Sequence, residues 1–201
     1  MSKFVKHFCY SEKNTEYLTF GSETWEQIAE KIPGYGLLMG CGAQISRNEF
    51  LVIGGFNTED RVLRFTTNDN VWHNTSLHLF EKRYNLQCIS FNKKVIITGG
   101  FLNNKHLSTT EIIDFSEDEL LIRKGGDLKE ERSSHGMGII TISGVPTLIA
   151  FGGSDPYHIF RDSVEIWNDA SESWEISNSL RLEYRKYNFG FAMVPTDLLC
   201  P

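Results

Sequence analysis

Leu148-Ile-Ala-Phe-Gly-Gly153 decides how this chain is read. An apolar run goes straight into two glycines, and the pattern recurs at Leu51-Val-Ile-Gly-Gly55 and Val95-Ile-Ile-Thr-Gly-Gly100. The second glycines stand at 55, 100 and 153, which makes the intervals 45 and 53 residues. A self-similar period of about 50 residues marks a repeat architecture in which each unit is one supersecondary element. Glycine at the end of a buried strand permits positive φ and close approach of a neighbouring backbone.

The unit around Gly152-Gly153 is the clearest. An apolar run over 136–143 follows Arg132-Ser-Ser-His135, and a second over 145–151 ends in the glycines. A polar loop over 154–162 comes next, then Ser163-Val-Glu-Ile-Trp167, which alternates in period 2 as a half-buried strand does. Residues 168–173 are turn-rich, and Trp174-Glu-Ile-Ser177 forms a fourth strand. The preceding unit repeats this order with strands over 86–91, 94–98, 109–115 and 119–123. Gly100 to Leu121 spans 21 residues, as does Gly153 to Trp174, so Leu121 or its neighbour holds the Trp position. The unit before that has strands over 38–45, 50–53, 62–65 and 71–72, and Gly55 to Trp72 is only 17 residues. Gly125-Gly126 follows Arg123-Lys124 rather than an apolar strand and reads as a turn.

This order resembles the kelch repeat. The matching elements are Arg132 and His135 at the lead-in, Gly152-Gly153, Glu165-Ile-Trp167 and Trp174. The resemblance implies an all-β, kelch-type β-propeller of four-stranded antiparallel blades, with the Trp packing between neighbouring blades. Residues 1–201 form one such domain, with blades at about 36–80, 83–128 and 132–182. The fourth blade is composite. Residues 4–10, 16–20 and 24–28 read as its last three strands, and 187–194 as its first, so it draws on 1–32 plus 185–195. Such closure removes exposed sheet edges. The same end pattern fits the C-terminal part of a six-bladed propeller, in which case open edges imply self-association.

The bulk composition bounds the function. A chain of 201 residues with 40% hydrophobic and 12% aromatic content suffices for one sizeable core. The net charge of −6, without a Lys/Arg block, gives no nucleic-acid footprint. No apolar stretch has membrane-helix length, and the first nine residues lack a signal-peptide core. The chain reads as cytoplasmic. The sequon Asn74-Thr-Ser76 matters only if a leader precedes this sequence, in which case the chain is extracellular. Cys9, Cys41, Cys88 and Cys200 have no zinc-ligand spacing, and three sit in strand-like runs as buried free thiols.

Nothing in the sequence recommends catalysis, a cofactor or a metal. The six histidines are scattered over separate units, and neither Gly-x-Ser-x-Gly nor His-Glu-x-x-His occurs. Ser133-Ser134-His135 is a local cluster rather than a triad. The resemblance points instead to a protein or peptide partner held on the loop face. The matching lead-in positions are Arg83, Tyr84, Arg132, Ser133, His135, Arg185 and Tyr187. The loops after Gly-Gly add Asn57, Glu59, Arg61, Asn103, Asn104, His106, Asp155, Tyr157, His158 and Arg161. Arginines recurring at successive lead-ins suit an acidic peptide, since guanidinium binds carboxylates bidentately. The alternatives are a substrate-adaptor fragment of a ubiquitin ligase, and an enzyme or glycan-binding propeller. The adaptor role depends in this family on an N-terminal region that 201 residues leave no room for.

Overall fold

The computed structural model describes residues 5–10, 15–19, 24–28, 32, 38–57, 59–117, 119–155 and 159–188, and only the backbone for most of the first three strands. Every regular element among them is a strand. The first sheet is β1 (Val5–Tyr10), β2 (Thr15–Thr19) and β3 (Glu26–Ile28), paired in that order. The second is a four-stranded antiparallel meander: β4 (Cys41–Ser46), β5 (Glu49–Ile53), β6 (Arg61–Thr66) and β7 (Val71–His78).

The third sheet begins with β8 (Gln87–Phe91) and β9 (Lys94–Thr98). A small hairpin, β10 (Phe101–Leu102) and β11 (Lys105–His106), interrupts it before β12 (Thr110–Asp114) and β13 (Leu121–Lys124) complete it. The fourth comprises β14 (Gly136–Ile142), β15 (Val145–Phe151), β16 (Arg161–Asn168) and β17 (Ser173–Lys186). The first strands of neighbouring sheets, β4, β8 and β14, lie side by side. The arrangement is all-β and β-propeller-like. Residues 189–194 of the expected closing strand lie outside the described residues.

The second strands are continuously apolar because both of their faces are covered. The last four residues of β5, β9 and β15 are all buried. Leu51 and Ile53 pack with Leu86, Val95 and Ile97 of the next sheet, while Phe50 and Val52 face the opposite way onto Phe65 and Trp72. Ile96 and Ile112 meet Leu148, Trp167 and Trp174 of the fourth sheet. Trp174 is fully buried, and its Nε1 donates to Thr110 Oγ1 of the preceding sheet at 3.2 Å. A Trp therefore bridges neighbouring sheets as the repeat reading expects. Burying one large apolar side chain contributes roughly 1.5–3 kcal/mol.

One local reading is narrowed and two change. In the third sheet, Ile122 stands opposite Ile113 just as Trp174 stands opposite Trp167, so Ile122 holds the Trp position while Leu121 is exposed. The fourth strand of the last sheet does not stop near Ser177 but runs to Lys186, with register shifts along its pairing to β16. Cys41 and Cys88 are not free thiols: they form a disulfide between β4 and β8, with Cα atoms 5.7 Å apart. The Cys9 side chain and Cys200 lie outside the described residues.

Candidate functional site

The Gly-Gly pairs are the joints between sheets. Both glycines of each pair have positive φ: +63° and +105° at Gly54-Gly55, +58° and +111° at Gly99-Gly100, +66° and +96° at Gly152-Gly153. The N–H of Gly55 and of Gly100 donates to the chain leading into the next sheet, and that of Gly153 to the end of β17. Gly55 bonds Arg83 O at 3.1 Å, Gly100 bonds Arg132 O at 2.8 Å, and Gly153 bonds Lys186 O at 2.8 Å. A Cβ on Gly55 would stand 2.8 Å from Leu38 O, which no side chain allows.

The lead-ins are themselves linked. Met39, Asn85, Ser134 and Asn188 all adopt left-handed φ, between 47° and 62°. Asn85 N–H donates to Met39 O at 2.7 Å, Ser134 N–H to Asn85 O at 2.9 Å, and Asn188 N–H to Ser134 O at 3.0 Å. One run of backbone hydrogen bonds thus passes through four successive lead-ins.

Among the residues that the sequence nominated, the arginines are the chief correction. Arg83 and Arg132 are fully buried and do not ring an opening. Arg83 donates to Gly99 O and Thr109 O, both at 2.9 Å, and to Glu111 Oε1 at 2.7 Å. Arg132 repeats this one sheet later, donating to Gly152 O at 2.7 Å and to Glu165 Oε1 at 3.0 Å. Strand ends leave carbonyls without partners, and a guanidinium with five donors satisfies several at once. Each arginine braces its own lead-in. Arg185 does not continue the series, because the bond from Gly153 falls on Lys186; Arg185 is an exposed residue of β17.

His135 is also interior. Its Nε2 lies 2.9 Å from Thr98 Oγ1, and burial together with the Arg132 charge pushes its pKa down to about 3. Asp155 is buried and accepts from Ile159 N–H at 2.9 Å, while Arg161 donates to Glu130 Oε1 at 2.8 Å and Glu131 O at 3.0 Å. Asn57 is an exposed turn residue at φ 68°. Asn103 and Asn104 form the two-residue turn of the β10–β11 hairpin, both with positive φ. Tyr157 and His158 lie outside the described residues.

Of the nominated positions, Tyr84, His106, Ser133 and Tyr187 do meet at a cavity of about 540 Å³ where the lead-ins converge. Each four-stranded sheet contributes a bridged pair, one residue from its lead-in and one from just after its Gly-Gly: Leu38 with Phe56, Tyr84 with Phe101, Ser133 with Ser154. Phe56, Tyr84 and Phe101 stack edge to face, with centroids 5.6 and 5.5 Å apart, and Phe101 meets the His106 ring at 4.8 Å. Among the described residues, no Asp, Glu, Lys or Arg lines the cavity. Sequence reasoning passed over Leu38, Phe56 and Phe101. The signal was present, since Phe56 and Phe101 each directly follow a Gly-Gly pair.

Ser133 Oγ lies 2.9 Å from His106 Nδ1, within nucleophile–base reach. The backbone N–H groups that would stabilise an oxyanion beside it are already taken: Ser133 N–H donates to Ser154 O and Ser134 N–H to Asn85 O. Among the described residues no cluster of three His, Cys, Asp or Glu is placed to hold a metal, and no helix is long and apolar enough to cross a membrane.

No family model and no curated protein matches this sequence. Among solved structures, the chain is similar to that of YjhT, with a TM-score of 0.71 at 12% identity over 91% of this chain. It spans 66% of the length of that structure. At this identity the likeness is one of fold, and the fold common to the two is all-β and propeller-like.

Proposed function

We propose that this chain is a kelch-type propeller unit acting as a non-enzymatic binding module, which holds a partner protein or peptide over the lead-in face. The observation that carries this reading is the cavity of about 540 Å³ built at one level from three successive sheets. Its residues sit on the loops and the short β10–β11 hairpin at the strand ends of a rigid scaffold, where recognition commonly resides. A test is panning a displayed random-peptide library on the protein. Enriched peptides are expected to lose at least about tenfold in affinity against Phe56→Asp and Tyr84→Ala. No enrichment, or binding indifferent to both substitutions, sinks the reading.

The sheets described here belong to a ring larger than four. What supports this is that the chain, though matched over 91% of its own length, spans only 66% of its structural neighbour. Light scattering on residues 1–201 is expected to give species heavier than 23.0 kDa, because open sheet edges associate. A sharp monomer restores the closed ring of four with its composite blade.

The cytoplasmic expectation gives way to an oxidising compartment. The support is the Cys41–Cys88 disulfide, since such bonds are rare where glutathione keeps thiols reduced. Peptide mapping of the natural protein without reductant is expected to recover the linked pair. The Cys41→Ala/Cys88→Ala variant is expected to lose about 2–4 kcal/mol in denaturant titration. Recovery of two free thiols returns the chain to the cytoplasm.

A further inference from the structure

The cavity is divided in two by chemistry. Leu38 and Phe56, then Tyr84 and Phe101, make one side an apolar and aromatic wall. Ser133, Ser134 and Ser154, beside the rings of His106 and Tyr187, make the other side polar and hydroxyl-bearing. Phe56 is 45% exposed although it stacks on Tyr84, so aromatic surface remains to be covered. Side-chain polar groups also remain to be used. Neither the Ser134 hydroxyl nor the Asn85 amide makes a hydrogen bond within the described protein, and both line the cavity. Their backbones are pinned by the run of lead-in hydrogen bonds, so these two groups are held in fixed places.

We infer that this site takes an uncharged aromatic side chain ending in a hydroxyl, that of a tyrosine on the partner, with its ring against Phe56 and Tyr84 and its oxygen towards Ser134 and Asn85. This deepens the binding reading above and rests on it. A tyrosine is apolar along its ring and polar at its tip, which matches the two sides of the cavity. Charge argues the same way. With no Lys or Arg among the described lining residues, an acidic side chain would lose its water without gaining a cationic partner there. The acidic peptide expected from the arginines is thereby replaced: those guanidinium groups are spent on backbone carbonyls and on Glu111 and Glu165.

The test uses saturation-transfer NMR on the full chain with four probes: the N-acetyl amides of tyrosine, phenylalanine, phosphotyrosine and aspartate. The tyrosine amide is expected to bind, with saturation strongest on its ring protons. The phenylalanine amide should bind several-fold more weakly, and the phosphotyrosine and aspartate amides not at all. Phe56→Ala should weaken the tyrosine amide by about tenfold. Ser134→Ala should leave the phenylalanine amide unchanged while erasing the preference for tyrosine, a readout that general unfolding does not produce. Equal binding of the tyrosine and phosphotyrosine amides, or binding that survives Phe56→Ala, overturns the inference. If no amide binds but the peptide library yields charged ligands sensitive to Phe56→Asp, the binding reading stands and the tyrosine assignment falls. If both experiments are blank, both fall.

Discussion

Arg132→Leu is expected to destabilise the protein by about 3–5 kcal/mol, and Arg132→Leu/Glu165→Leu by clearly less than the sum of the two single changes. Arg132 and Glu165 are both fully buried and joined at 3.0 Å. Removing the guanidinium leaves the Glu165 carboxylate in the interior with only the N–H groups of Lys129 and Glu130, at 2.7 and 3.2 Å. It also strips Gly152 O of its 2.7 Å donor at the joint between strands. An uncompensated buried charge costs more than a missing pair, because an apolar pair of similar size needs no counter-ion. The chain itself carries the apolar version. Two sheets earlier, the position opposite Val52 that corresponds to Glu165 holds Leu63, which is buried, and the sequence has Leu37 where the arginine would stand. Urea titration of the two single variants and the double variant measures this, with a coupling of about 2 kcal/mol or more expected. Additive losses would show that each residue acts alone.

Gly99→Ala is expected to cost about 3 kcal/mol or more, from left-handed strain together with steric overlap. Gly99 has φ +58°, and a Cβ there would stand 2.3 Å from Arg132 O and 2.9 Å from His135 Cε1. Neither neighbour yields easily: the carbonyl accepts the Gly100 N–H at 2.8 Å, and the His135 ring is interior and held against Thr98. Gly144 separates the two costs. It has φ +81° with nothing within 4 Å of a built Cβ, so Gly144→Ala carries the backbone strain alone, about 1 kcal/mol. Equal losses at the two positions, read by thermal or urea unfolding, would show that close approach contributes nothing at the joint.

These joints were legible in the sequence because what they need is local. Positive φ selects glycine whatever surrounds it, and a strand covered on both faces demands an unbroken apolar run. So Leu51–Gly55, Val95–Gly100 and Leu148–Gly153 announced strand, joint and repeat without a neighbour in view. The bridging role of Trp174 was legible for a similar reason: its size and spacing from Gly153 leave it few other places.

The site was less legible. Arg83 and Arg132 were rightly singled out as recurring, yet a cation in a sequence carries no sign of whether it faces water or a strand end. Only the carbonyls of Gly99, Thr109 and Gly152, brought within 3 Å, settle that they face inward. The series was also carried one residue astray at Arg185, because β17 shifts register against β16 before it reaches Lys186.

The sequence by itself determined the second strands, the joints and the repeating order, since each rests on backbone conformation or on burial periodicity within a few residues. The tertiary structure alone decided three things: the Cys41–Cys88 bond, the inward turn of the arginines, and the cavity between Phe56, Tyr84 and Ser134. All three join residues tens of positions apart, and which of them meet is set by how one sheet packs on the next, a relation that no local stretch of chain encodes.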